Sequence, residues 1–144
     1  FNLPKCRCFV FWDKCVDVPN FSAGKYAWSS FDKPASKVVI RNTTEIQKAQ
    51  REGERFHPTQ KPVALYEWLL KNYAKPGDKI LDTHVGSASS LIACHQMGFE
   101  FVGFEIDPDY YQAATERLER ARAQVSMLDI GGEKRQTEQI GMEV

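Results

Sequence analysis

The chain has 144 residues, 19 basic against 19 acidic, and 42% of it is hydrophobic. That is enough for one domain with a real core, and no apolar run nears the roughly 18–20 residues that a membrane-spanning helix needs. Charge balances overall but not locally: residues 1–61 hold 11 Lys/Arg and 6 Asp/Glu, residues 62–144 hold 8 and 13, so a polyanion such as nucleic acid would be drawn to the first half.

The chain opens on Phe1 without a secretory signal pattern, and further sequence upstream is expected. Cys6, Cys8, Cys15 and Cys94 form no paired framework and fit no standard zinc spacing. A reducing cytoplasm and no metal are expected.

Residues 6–12, Cys-Arg-Cys-Phe-Val-Phe-Trp, read as a buried strand ended by Asp13-Lys14. A loop follows through Pro19-Asn20 and Gly24. Residues 25–31 and 37–41 are β-prone runs around Asp32-Lys33-Pro34-Ala35-Ser36, which predicts a hairpin or a pair of adjacent strands. Tyr26 and Trp28 share a face, and core packing is their plain reading. Residues 42–56 are polar and aperiodic, a connector. Arg51 and Arg55 there are candidates for phosphate contacts, with a solvated loop as the simpler alternative.

His57-Pro58 sets an extended approach, and Pro62 suits a first helical turn. Leu65, Trp68, Leu69 and Tyr73 recur at 3–4 spacing, predicting a helix over 62–74. After the turn Pro76-Gly77-Asp78 comes the strand Lys79-Ile80-Leu81-Asp82. The small-residue loop Thr83-His84-Val85-Gly86-Ser87-Ala88-Ser89-Ser90 lets backbone approach a ligand closely. Ser90 to Met97 reads as helix with Gly98 as its C-cap. A second strand runs from Phe99 to Glu105, which lies roughly 20 residues beyond the loop, the spacing of a ribose-binding acid. Asp107 can N-cap a helix that begins at Pro108 and carries the stripe Ala114, Leu118, Ala121 to about Ala123. Residues 125–144, with Gly131-Gly132, are expected to form a loose tail.

The loop is neither Gly-x-Gly-x-x-Gly nor a Gly-Lys-Ser/Thr phosphate loop. It has one glycine and no lysine, and Asp82 stands at its mouth. A carboxylate there repels phosphate and suits an ammonium group, which points to S-adenosylmethionine rather than NAD or ATP.

These stretches resemble the circularly permuted (beta) class of DNA amino-methyltransferases, which modify adenine N6 or cytosine N4. His57-Pro58-Thr59-Gln60-Lys61-Pro62 is similar to their first cofactor motif, His-Pro-Thr-x-Lys-Pro. Asp82 to Ser89 resembles their methionine loop, Asp-Pro-Phe-x-Gly-Ser-Gly-Thr, in the Asp-Thr-His form of phage members. Gly103-Phe104-Glu105-Ile106-Asp107 resembles their ribose-binding strand end. Three motifs agree in order over about half the chain.

The resemblance implies an α/β, Rossmann-like methyltransferase fold over residues 1–124, with 1–41 as far strands of the sheet near the base pocket and 57–124 as the cofactor half. It implies that Asp82 receives the methionine ammonium, and that Thr83, Gly86, Ser87 and Ala88 line the methionine. Glu105 would bind ribose, with Asp107 next to it, and Ile106 would cover the adenine. His57, Pro58, Thr59 and Lys61 would close the carboxylate end. DNA is the implied substrate, adenine N6 ahead of cytosine N4, in a restriction-modification setting.

Two departures stand out. The family's catalytic loop, Asp/Asn/Ser-Pro-Pro-Tyr/Phe, is not in this sequence, whose seven prolines are all single. The catalytic residues are therefore unknown, the sheet is expected to be incomplete, and a complementary chain or second copy is expected. An inactive remnant that keeps cofactor and DNA contacts is the alternative. The other departure is Ala88, where the family has glycine. If this residue needs positive φ, alanine costs on the order of 1 kcal/mol.

Overall fold

The computed structural model describes residues 4–5, 7–16, 19, 22–40 and 60–140, with side chains through residue 124. The elements in order are β1 (Phe9–Asp13), β2 (Gly24–Trp28), β3 (Ser36–Val39), α1 (Val63–Tyr73), β4 (Lys79–Asp82), α2 (Ser89–Gln96), β5 (Glu100–Gly103) and α3 (Pro108–Ile140). They fall into two compact units, Phe1–Glu54 and Arg55–Val144. The unit boundary lies in the stretch read as a connector, and residues 42–56 are outside the described residues.

In the first unit the strand order is β2-β1-β3. β2 runs antiparallel to β1, with Phe9 opposite Trp28 and Asp13 opposite Gly24. β3 runs parallel to β1, from Val10 opposite Ser36 to Asp13 opposite Val39. This corrects the hairpin expectation: β2 and β3 flank β1 and do not pair with each other. The physical reason is that β1 buries two side chains, Val10 and Trp12, with Cys8 just before it, against Val38 alone in β3 and none in β2, so it takes the central position with both edges bonded. β2 exposes Lys25, Tyr26 and Ala27, as an edge strand does. Tyr26 is 78% exposed, so core packing does not hold for it. Its ring instead lies 4.7 Å from that of its cross-strand neighbour Phe11.

In the second unit β4 and β5 are parallel and in register from Lys79 opposite Glu100 to Asp82 opposite Gly103. α2 is their crossover connection. α2 is buried nearly throughout, because Leu91 and Ile92 pack with Ala88, Ala114 and Leu118, while Ala93 and Cys94 pack with Leu70. Cys94 fills a gap in this core. Gly98, at φ 74, ends α2 in the left-handed conformation that its C-cap role predicts.

Asp107 accepts from the backbone N–H groups of Asp109 (2.9 Å) and Tyr110 (3.0 Å), capping α3 before Pro108 as expected. The end of α3 differs from expectation. The helix continues through Ile140, over residues that were expected to be a loose tail. Gln, Glu, Lys and Arg are good helix formers, and extending an existing helix needs no new nucleus, so Gly131-Gly132 does not stop it. The two small sheets, three strands and two, together with helices on the β4–β5 unit, make an incomplete Rossmann-like α/β fold. No ladder joins the sheets among the described residues.

Candidate cofactor site

The site forms where the parallel strands β4 and β5 end. In open α/β sheets, ligands bind beyond the carboxyl ends of the strands. The ladder runs one step past the strands: Phe104 N–H donates to the Asp82 carbonyl at 2.9 Å, and Val85 N–H donates to the Phe104 carbonyl at 3.1 Å. Those bonds bring the loop after β4 against the segment after β5.

Two carboxylates organise the loop. Asp82 accepts from His84 N–H at 2.9 Å and from the Ser90 hydroxyl. Glu105 accepts from Gly86 N–H at 2.8 Å and from Asp107 N–H at 3.1 Å. Between the acids the chain turns tightly, with Gly86 at φ 55 and Ala88 at φ 59. Ala88 is wholly buried and occupies the N-cap position of α2 without a side-chain cap. Its left-handed backbone confirms the strained alternative for this position.

The small side chains fasten the loop. Ser89 Oγ donates to the Lys61 carbonyl at 2.8 Å and lies 3.1 Å from Ser87 Oγ. Arg117 on α3 donates to the Ser87 carbonyl and, at 2.9 Å, to Ser89 Oγ. Beneath β4, burial first and the Asp82 charge second push the Tyr66 phenol up to about 12. The same two causes, in the same order, raise the Cys94 thiol.

Of the residues expected at the site, Asp82, Gly86, Ser87, Ala88 and Glu105 are brought together directly, and Lys61 joins them through its backbone carbonyl. Thr83 is exposed, its hydroxyl 2.9 Å from His84 Nδ1. Ile106 is 99% exposed beside Glu105, and the Asp107 side chain is engaged in capping α3. His57, Pro58, Thr59, Arg51 and Arg55 lie outside the described residues. Among the described residues no group of three His, Cys, Asp or Glu is placed to hold a metal, and no helix is long and apolar enough to cross a membrane.

Sequence reasoning missed Ser89, Ser90 and Arg117. The serines carry no local signal. Arg117 does: it interrupts the buried stripe three residues after Ala114, where a charge needs a reason.

A family model described as DNA methylase, for N6 and N4 methyltransferases, matches residues 11–116. YubD of Escherichia coli (strain K12), provisionally named a methylase, is 36% identical over 66 residues, 46% of this chain and 29% of its own. The type II methyltransferase M.HpaI of Haemophilus parainfluenzae is 40% identical over 63 residues, 44% of this chain and 20% of its own. The matches thus span less than a third of these curated relatives. Among solved structures, the M1.HpyAVI–SAM complex superposes with a TM-score of 0.59 at 23% identity, over 76% of this chain and 60% of that one. The cytosine-N4-specific PvuII DNA methyltransferase gives 0.57 at 18%, over 80% and 54%. Both share the fold. With the family model spanning well over half of its residues, the chain belongs to the DNA methylase family.

Proposed function

We propose that this chain is the S-adenosylmethionine-binding part of a DNA amino-methyltransferase acting on an exocyclic amino group, adenine N6 ahead of cytosine N4, in the cytoplasm. The observation that carries this reading is the pair of acids at the carboxyl ends of adjacent parallel strands, Asp82 closing β4 and Glu105 two residues past β5, with the left-handed Gly86 and Ala88 in the loop between them. The donor set fits the cofactor: one carboxylate for an ammonium, one for a diol, and no lysine or glycine-rich cradle for phosphate. When bound, the cofactor supplies a methyl group already activated on a sulfonium.

The protein's part is positioning. Asp82 receives the methionine ammonium, directly or through water. Thr83, Gly86, Ser87 and Ala88 present backbone along the methionine. Glu105 accepts from the ribose hydroxyls, Asp107 fixes the segment behind it, and Ile106 covers the adenine face. His57, Pro58, Thr59 and Lys61 close the carboxylate end, and Arg51 and Arg55 meet DNA phosphates. The base, flipped from the duplex, meets catalytic groups that lie outside these 144 residues, in upstream sequence, a complementary chain or a second copy.

Calorimetric titration with S-adenosylhomocysteine tests the reading. Saturable binding that weakens in Glu105→Ala is expected. Equal affinity of Glu105→Ala and wild type overturns the assignment.

A further inference from the structure

Arg117 is the one cation bonded to the loop among the described residues, and it makes no ion pair there. Nη1 donates to the Ser87 carbonyl and to Ser89 Oγ at 2.9 Å. The side chain is part-buried, and burial, reinforced by the Arg120 charge, works against its protonated form. A part-buried cation without a counter-ion is an unfavourable means of satisfying one carbonyl and one hydroxyl, so its presence at this point asks for a role. The carbonyl it holds belongs to the peptide joining Ser87 to Ala88. The orientation of that peptide sets φ at Ala88, which is +59° in a residue that carries a Cβ.

We propose that Arg117 is a positioning residue for cofactor binding: it clamps the Ser87–Ala88 peptide and so holds Ala88 in the left-handed conformation that shapes the methionine loop. The clamp acts through the loop and touches no reacting atom. It rests on the reading of this loop as the S-adenosylmethionine site.

The clamp makes a specific demand on position 88. Glycine adopts positive φ without strain, so a glycine there removes most of the need for Arg117. The test is a double-mutant cycle on the 144-residue chain, with S-adenosylhomocysteine affinity measured by calorimetry and folding followed by thermal melting. Arg117→Met is expected to weaken binding about tenfold or more, as misplacement of a binding loop does, with Arg117→Lys in between. In an Ala88→Gly background the same Arg117→Met change is expected to cost less than about threefold. Should Arg117→Met not fold, Arg117→Lys in the two backgrounds decides by the same comparison. Wild-type affinity in Arg117→Met, or an equal or larger loss with glycine at 88, overturns the clamp. A wild-type chain that binds no S-adenosylhomocysteine overturns the cofactor reading instead.

Discussion

At Ala88 backbone and side chain oppose each other. The left-handed conformation costs an L-residue about 1–2 kcal/mol, while burying its methyl contributes about 0.8 kcal/mol. The strain is the larger of the two, so Ala88→Gly is expected to stabilise the chain by up to about 1 kcal/mol, read from thermal melting. The same change removes a methyl from the loop, and affinity for S-adenosylhomocysteine is expected to rise. Unchanged stability would mean that the methyl packs better than its burial suggests. Glu105 braces Gly86 N–H at 2.8 Å, and under the proposed function it also accepts from the ligand. Glu105→Gln keeps an oxygen for the brace but loses the charge. Glu105→Ala loses both, and the neutral hydrogen bond that glutamine keeps is worth about 0.5–1.5 kcal/mol. The alanine variant is therefore expected to bind roughly two- to tenfold more weakly than the glutamine variant, measured by calorimetry. At this scale the sequence was legible wherever the deciding interaction is local. Asp107 as a cap and Gly98 as a helix end each follow from a few neighbouring residues, while the strain at Ala88 was legible only through the resemblance, which has glycine there. Arg117 on Ser87 is made across 30 residues, beyond any local window, and Ser90 on Asp82 spans the whole loop, whose turn at Gly86 and Ala88 decides whether the two meet.

Between elements, α2 seats on β5 through a glycine. A Cβ on Gly103 would lie 2.6 Å from Val85 Cγ2 and 2.9 Å from Leu91 Cδ1. Gly103→Ala is expected to destabilise by about 1–3 kcal/mol and to displace Val85, the residue that leads into Gly86. Thermal melting and ligand affinity should fall together, and a neutral result would place slack between α2 and β5. The α1–β4 contact has a pH signature. The Tyr66 phenol has an ordinary value near 10 when unfolded and about 12 when folded. Its protonated form is favoured by the fold, so the stability it contributes is complete below pH 10 and is lost as pH rises through 12. Tyr66→Phe has no phenol to ionise and is expected to lose less stability than wild type between pH 10 and 12. Parallel melting curves across that window would refute the coupling. α1 and the start of α3 were legible from their apolar periods, and β4, α2 and β5 from the turn, the small-residue loop and Gly98 that punctuate them. The β2-β1-β3 order was not, since which strand takes the centre depends on burial across the sheet. Neither does composition locate the end of α3, because polar helix formers beyond the packed stripe read equally well as a tail.

For the whole molecule, the β4–β5 sheet has an unfinished face. Leu81, Val102 and Phe104 alternate with the packed positions and are 63%, 57% and 59% exposed. Parallel sheets are ordinarily covered on both faces, and a contiguous apolar patch marks an interaction surface. Residues 1–144 are therefore expected to associate as concentration rises, and lysine at Leu81 and Val102 should restore a monomer in sedimentation velocity. Under the proposed function the catalytic groups are expected to lie outside these 144 residues. No Pro-Pro pair with a following aromatic occurs in the sequence, so a flipped base would meet neither the stacking ring nor the acceptors for its amino hydrogens. Removing one preorganised contact costs roughly 10²–10³ in rate, and here the whole loop is wanting. The 144-residue chain is expected to bind S-adenosylhomocysteine yet to transfer tritiated methyl to unmethylated DNA weakly or not at all, until a segment carrying that loop is added. Robust transfer by the chain alone, as a monodisperse monomer, would show that the catalytic residues lie within these 144 and have been misplaced.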